Sequence, residues 1–308
     1  MASVIPDFEM FESKADLKVG RTFYSITGPR SGKPIVLVHG ATVSSLSFNT
    51  LVPYLVRQGF RVLRYDLLGH GQSDCPEQTA YSPATFAIQL DQLLAALNWP
   101  KASCVLGFSM GAVVAASFAY RRPGRVEELL LVAPLLNFNE LRFCGKVAAS
   151  RLGPWFLRVI GMPIIRRRRV KRALAIGNDR AAVQFRELSS KSNFRDMVIS
   201  LARDGAFSDH HDVYKKLART QDRIKIIGGA EDSVVPQRHV RAVADLCGCD
   251  CTRIIAGHQH NLIHSAAGLI AMIAGGKQLG EQVPLKIHYS ESALRASAVS
   301  FSPDLPMM

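Results

Sequence analysis

Short apolar runs rich in β-branched residues recur along this chain, and each stops at a turn, as strands buried on both faces do. Pro34 to Val38 ends at His39-Gly40, and Arg61 to Asp66, Ala102 to Leu106, Leu129 to Ala133, Ile224 to Ile227 and Thr252 to Ala256 follow the same pattern. Between most of them lie stretches with apolar residues three and four apart. Phe48 to Gln58 and Ala84 to Leu97 read as helices covering a sheet, and Met110 to Tyr120 is apolar on nearly every side, as a helix against the sheet centre is. This alternation predicts an α/β fold with a mostly parallel central sheet, flanking helices and binding loops at the carboxyl ends of the strands.

The alternation breaks between about Leu136 and Gln221, where the chain reads as helical or irregular and carries Arg166-Arg167-Arg168-Arg169. The expected organisation is a core in two parts, 1–135 and 222–275, interrupted by an inserted helical cap at 136–221 and followed by a tail at 276–308. At 308 residues, with 48% hydrophobic and 20% charged residues, one packed core with an insertion is a better fit than two unrelated domains.

The strongest chemical signal is Gly107-Phe108-Ser109-Met110-Gly111, which lies between a predicted buried strand and the buried helix. Small residues flanking a serine at a sharp strand-to-helix turn expose its hydroxyl, and the following helix aims free N–H groups and its positive dipole end at the same point. Ser109 is therefore the candidate nucleophile. Such a hydroxyl needs a base within hydrogen-bond reach and a third group that fixes the tautomer of that base.

With those residues in view, the chain resembles the α/β-hydrolase superfamily, in its serine hydrolase and esterase branch. The likeness is carried by His39-Gly40, by Tyr65-Asp66-Leu67-Leu68-Gly69-His70-Gly71-Gln72-Ser73-Asp74, by the serine turn, by Tyr120-Arg121-Arg122-Pro123-Gly124-Arg125-Val126, by Gly229-Ala230-Glu231-Asp232 with Pro236, and by Gly257-His258. The resemblance implies the α/β-hydrolase fold and the chain order Ser, Asp, His for the catalytic residues. It assigns Asp232 as the acid, with Glu231 as its rival, and His258 as the general base, with His260 the alternative if the loop register slips. It assigns the oxyanion hole to the backbone N–H groups of Ala41 and Met110, and makes His39, Asp66, His70 and Asp74 braces of the loops. A serine at the turn argues against the epoxide hydrolase and haloalkane dehalogenase branches, where the resemblance implies an aspartate.

The function this implies is hydrolysis of a carboxylic ester through an acyl-enzyme on Ser109. A thioesterase or a carbon–carbon bond hydrolase with the same triad, or a ligand-binding protein without turnover, are the alternatives, because fold does not fix chemistry. No metal or organic cofactor is expected. The cluster Cys247-Gly248-Cys249-Asp250-Cys251 lacks a second ligand cluster at metal-binding spacing. The formal charge of +13 favours anionic partners. Nucleic acid is not expected among them, since no aromatic residues interleave the basic run. Trp155, Phe156 and Ile160 precede that run and are expected over or near Ser109, which predicts an apolar substrate. The same apolar-then-basic stretch predicts peripheral contact with an anionic membrane surface. The N-terminal stretch lacks the apolar run of a signal peptide and no uncharged stretch is long enough to span a bilayer, so a cytoplasmic protein, associated with membranes through its cap, is expected.

Overall fold

The computed structural model describes residues 10–77, 80–137, 150, 152–175, 177–203 and 205–276. The tail expected at 276–308 lies outside these residues apart from its first position.

An eight-stranded sheet forms the centre, in the order β1-β2-β4-β3-β5-β6-β7-β8. The strands are β1 (Met10–Leu17), β2 (Gly20–Thr27), β3 (Lys33–Val38), β4 (Phe60–Tyr65), β5 (Ala102–Phe108), β6 (Val126–Val132), β7 (Ile224–Gly229) and β8 (Thr252–Ile255). From β4 to β8 every pairing is parallel, and these are the six strands that the apolar runs predict. The hairpin β1-β2 joins the β4 edge antiparallel and is not predicted. β1 is half-exposed along its length and carries Glu12, Ser13, Lys14 and Asp16, so it has no continuous apolar run to read.

The predicted helix at Phe48 to Gln58 is shorter in the structure. Ser45–Phe48 forms one tight turn, and α1 (Val52–Arg57) begins only where Pro53 falls within its first turn, the place where a missing N–H leaves no bond unmade. α2 (Pro83–Ala96) starts on Ser82, whose Oγ accepts the Thr85 N–H at 3.2 Å. α3 (Met110–Arg121) is buried at every position from Met110 to Ala119, packed between the sheet, α2 and a later helix. Together with Val105 and Leu106 of β5, both fully buried, it forms the centre of the core. Each such apolar side chain stabilises the fold by roughly 1.5–3 kcal/mol.

Between β6 and β7 the described chain is helical. A turn at Gly153–Phe156 widens through a π-helical stretch, Leu157–Gly161, into α4 (Met162–Ala175), and α5 (Asp179–Ser190), α6 (Ser192–Arg203) and α7 (His211–Leu217) follow. α7 packs on α3 as part of the core, and the helices before it lie over the carboxyl ends of the strands. Asn178 Nδ2 donates to Leu46 O at 2.9 Å, Ser44 Oγ donates to Gln184 Oε1 at 2.7 Å, and Arg180 pairs with Glu12 of β1 at 2.9 Å. α8 (Gln237–Cys247), α9 (Leu262–Ser265) and α10 (Ala267–Ala274) complete the second half.

Candidate active site

Ser109 sits between the last residue of β5 and the first of α3, with φ 56° and ψ −119°. A non-glycine residue held there stores about 1–3 kcal/mol of backbone strain, so its surroundings must hold it in place. Its N–H donates to Val132 O at 2.9 Å, and its carbonyl accepts from Ala112 N at 3.0 Å and Leu135 N at 3.3 Å. The flanking glycines are required by close approach. A Cβ on Gly111 would stand 2.1 Å from Val38 O, and one on Gly107 would stand 2.4 Å from Gly111 O, distances at which backbone cannot give way. The turn thus packs directly onto β3, and Ser109 remains partly exposed while its neighbours are buried.

Asp232 lies in the loop after β7 and is almost wholly buried. Its Oδ1 accepts the Val234 and Val235 N–H groups, each at 2.8 Å, which fixes the carboxylate plane. Its Oδ2 lies 2.8 Å from Nδ1 of His260, which is itself buried. The His260 ring packs at 5.1 Å, centroid to centroid, on Phe108, the residue before Ser109.

His258, the expected base, is not brought to Asp232. Its Nδ1 lies 2.8 Å from Ser265 Oγ in an exposed position. The backbone explains the two-residue offset. Gly257 turns the chain at φ +73°, and the His258 carbonyl then accepts the Glu231 N–H at 3.0 Å. That carbonyl is seated over Gly229, where a Cβ would meet it at 2.3 Å. With His258 bound to the β7 loop through its main chain, the turn back toward the site comes at His260. The alternative register is the one the structure adopts. Glu231, the rival to Asp232, takes part through its backbone N–H in this contact.

The loop after β3 runs alongside the serine. A Cβ placed on Gly40 would lie 3.4 Å from the Ser109 Cβ, so Gly40, followed by Ala41, borders Ser109, and Met110 follows Ser109 in the first turn of α3. His39 and His70 brace this loop. His39 Nε2 accepts the Leu67 N–H at 2.9 Å, so the proton is on Nδ1, which donates to Gly40 O at 2.8 Å. His70 Nε2 lies 2.7 Å from Ala41 O and its Nδ1 3.0 Å from Leu68 O. Burial lowers the pKa of both rings from the usual histidine value. Asp66 accepts from Ser45 N and Gln72 N, each at 2.8 Å, and Asp74 accepts from Arg21 N at 3.0 Å.

Comparison with known proteins agrees with this fold. The family model described as alpha/beta hydrolase fold matches residues 33–267. The chain belongs to the α/β-hydrolase fold family. This α/β-hydrolase is 33% identical over 145 residues to an uncharacterized protein of Mycobacterium tuberculosis, across 47% of this chain and 41% of that protein, so the matched stretch spans well under half the length of that relative. It is 34% identical over 145 residues to a non-heme chloroperoxidase of Streptomyces lividans, covering 42% of this chain and 51% of that one. It is 25% identical to a haloalkane dehalogenase of Mycolicibacterium paratuberculosis over 79% of this chain and 83% of that protein. Among solved structures it superposes on a bacterial membrane phospholipase A (TM-score 0.70, 18% identity, 87% of this chain, 85% of that one) and on the enol-lactonase of Burkholderia xenovorans (TM-score 0.65, 20% identity, 85% and 97%). At these identities the superpositions show the shared fold.

A cavity opens between the α/β-hydrolase core and the insertion, with His260 and Phe108 in its wall. Thr42, Val43 and Ile263 of the core line it with Phe185, Leu188 and Phe194 of α5 and α6, and Arg169 and Arg172 of α4 complete it. The residues expected to cover the substrate are not in this wall. Trp155 is 62% exposed and Ile160 40% exposed, on the outside of the insertion, and the side chain of Phe156 lies outside the described ones. An apolar run specifies that a face is apolar and not which way the face is turned. The signal for the true wall is weaker but legible: Ala181, Phe185 and Leu188 recur at i, i+4 and i+7 along α5, one helical face.

Among the described residues no helix is long and apolar enough to cross a membrane, and no group of three or more His, Cys, Asp or Glu side chains could hold a metal ion.

Proposed function

We propose that this protein is a serine hydrolase that cleaves carboxylic esters through an acyl-enzyme on Ser109, with His260 as general base and Asp232 as the acid that orients it. The observation that carries this reading is the buried 2.8 Å contact between Asp232 Oδ2 and His260 Nδ1 beside the strained serine turn. A carboxylate accepting from Nδ1 leaves Nε2 as the basic nitrogen, which is what a serine nucleophile needs. In the first step the Ser109 hydroxyl proton passes to His260 Nε2 as Oγ bonds to the acyl carbon. The alcohol then leaves with that proton. Water, deprotonated by the same nitrogen, releases the acid and restores Ser109. The N–H groups of Ala41 and Met110 meet the oxyanion, and losing one such donor typically lowers the rate by about a hundredfold or more.

The apolar wall formed by Phe108, Phe185, Leu188 and Phe194 favours an ester with a lipophilic acyl or alcohol part. A fluorophosphonate probe should label the protein at Ser109, and Ser109→Ala should abolish both labelling and turnover of p-nitrophenyl esters. Undiminished labelling of the alanine variant would refute the assignment, and faster turnover of matched thioesters would move the substrate class.

The outer face of the insertion supports a second element of function. Leu152, Trp155, Val159, Ile160 and Ile164 are exposed, and Arg166, Arg167, Arg168 and Lys171 follow them in the exposed surface of α4. Exposed rings and branched chains beside unshielded cations suit the boundary of an anionic lipid surface. The proposal is that the enzyme works while bound peripherally to such a surface.

A further inference from the structure

We propose that the cavity selects substrates bearing an anionic oxyacid group, a carboxylate or a phosphate, which Arg169 and Arg172 hold while the ester lies at Ser109. This rests on the ester-hydrolase reading and names the class of ester. Arg169 and Arg172 stand three residues apart on α4, on one face of the helix, and both line the cavity that also contains His260.

The electrostatics of the cavity are one-sided. None of its lining residues is an aspartate or glutamate. Among the described residues neither arginine has a carboxylate within ion-pair distance, whereas the structural arginines of this protein do: Arg122 and Arg125 pair with Asp91, and Arg180 with Glu12. Two cations three residues apart with no counter-ion repel each other.

Burial, and after it the charge of Arg172, lowers the pKa of two groups in this wall. Arg169 is brought down to about 10, first by burial and then by the charge of Arg172, and His264 in the same wall to about 4, again by burial and then by Arg172. Arg169 is half-buried and Arg172 exposed, and an uncompensated guanidinium in a cavity wall is a fork of donors awaiting an acceptor, whose geometry planar oxyacids match. The remaining wall, Val43, Phe108, Phe185, Leu188, Phe194 and Ile263, is apolar, so the complementary molecule is an amphiphile: a hydrocarbon segment with an anionic group at one end and the ester at the other.

The test measures binding to the Ser109→Ala protein, so that it does not depend on turnover. Calorimetric titrations would compare monomethyl suberate, which carries one carboxylate, with octyl phosphate and with neutral dimethyl suberate. The anionic probes should bind about ten- to a hundredfold more tightly than the neutral one, as expected for charge-assisted hydrogen bonds. The better of the two anions identifies the oxyacid. Adding Arg169→Gln and Arg172→Gln should erase the preference. Arg186→Gln, an exposed arginine of the same insertion outside the cavity wall, should preserve it, which separates a site from the general positive charge. Arg169→Lys should retain part of it, and this single variant decides if the double one does not fold. Equal affinity for charged and neutral probes, or a preference that survives the double substitution, would overturn the proposal. Selective binding without ester turnover by the wild type would leave the anion site standing and refute the esterase reading, while turnover without selectivity would do the reverse.

Discussion

Replacing Asp232 with asparagine separates the orientation of the base from every other property of the site. In the native protein Oδ1 accepts two backbone N–H groups at 2.8 Å and Oδ2 meets His260 Nδ1 at 2.8 Å. An asparagine keeps the loop only if its amide oxygen takes the Oδ1 position, since an NH2 group cannot accept from Val234 and Val235. The NH2 is then turned to His260, where it donates to Nδ1 and moves the ring proton to Nε2. The nitrogen facing the nucleophile can no longer accept a proton, and the turnover number should fall by about four orders of magnitude, roughly 5.5 kcal/mol of transition-state stabilisation. The fold should survive, because all the hydrogen bonds are still made. His258→Ala is the contrast: it removes one exposed contact with Ser265, worth about 1 kcal/mol or less, and should change turnover by no more than a few-fold. Steady-state hydrolysis of p-nitrophenyl butyrate, with thermal melts of each variant, measures both. If Asp232→Asn keeps a tenth or more of the activity, or His258→Ala is the inactive variant, the pairing of Asp232 with His260 is not the catalytic one.

Stability should decline as the pH falls from about 6.5 toward 4. His39, His70 and His264 are all held below the ordinary histidine pKa, chiefly by burial, so over this range the unfolded chain binds protons that the folded one refuses. Each contributes at most about 1.4 kcal/mol per pH unit, and buried Asp66, raised from its ordinary value, works in the opposite direction at the acid end. Thermal melts from pH 7 to pH 5 should show falling midpoints, with a shallower slope in His264→Gln; a flat profile would contradict the burial argument. Co-sedimentation with vesicles should need anionic lipid, weaken with salt and drop when Arg166, Arg167 and Arg168 become serine. Equal binding to neutral vesicles, or none at low salt, would rule out the docking surface.

Much of the fold was legible because parallel strands are buried on both faces and announce themselves as unbroken apolar runs: Ile35 to Val38, and Leu129 to Val132, have no exposed residue. The β1-β2 hairpin was not, since its edge strand mixes Phe11 with Glu12, Lys14 and Asp16 and is joined to the sheet through β2 alone. The placing of Ser109 at a strand-to-helix turn and of Asp232 in the loop after a strand was legible. The histidine that meets Asp232 was legible only to within two residues, because what distinguishes His260 from His258 is a main-chain bond between His258 O and Glu231 N, which no spacing rule encodes. The wall of the cavity was the least legible part. Trp155 and Ile160 are the more conspicuous apolar residues, yet the direction in which a helix turns its face is decided by how the insertion docks, through Asn178, Arg180 and Gln184.

Asn178 joins two structural decisions that are usually independent. Its Oδ1 accepts the Ala181 N–H at 3.1 Å and so starts α5, while its Nδ2 donates to Leu46 O and so fastens the insertion to the core. It stands at the corner between α4, which carries the two arginines, and α5, which carries Phe185 and Leu188. The charged and apolar halves of the cavity therefore meet at a corner fixed to the core, and Gln184 and Arg180 of α5 reinforce it through Ser44 and Glu12. The cavity is thereby cationic along α4 and oily along α5.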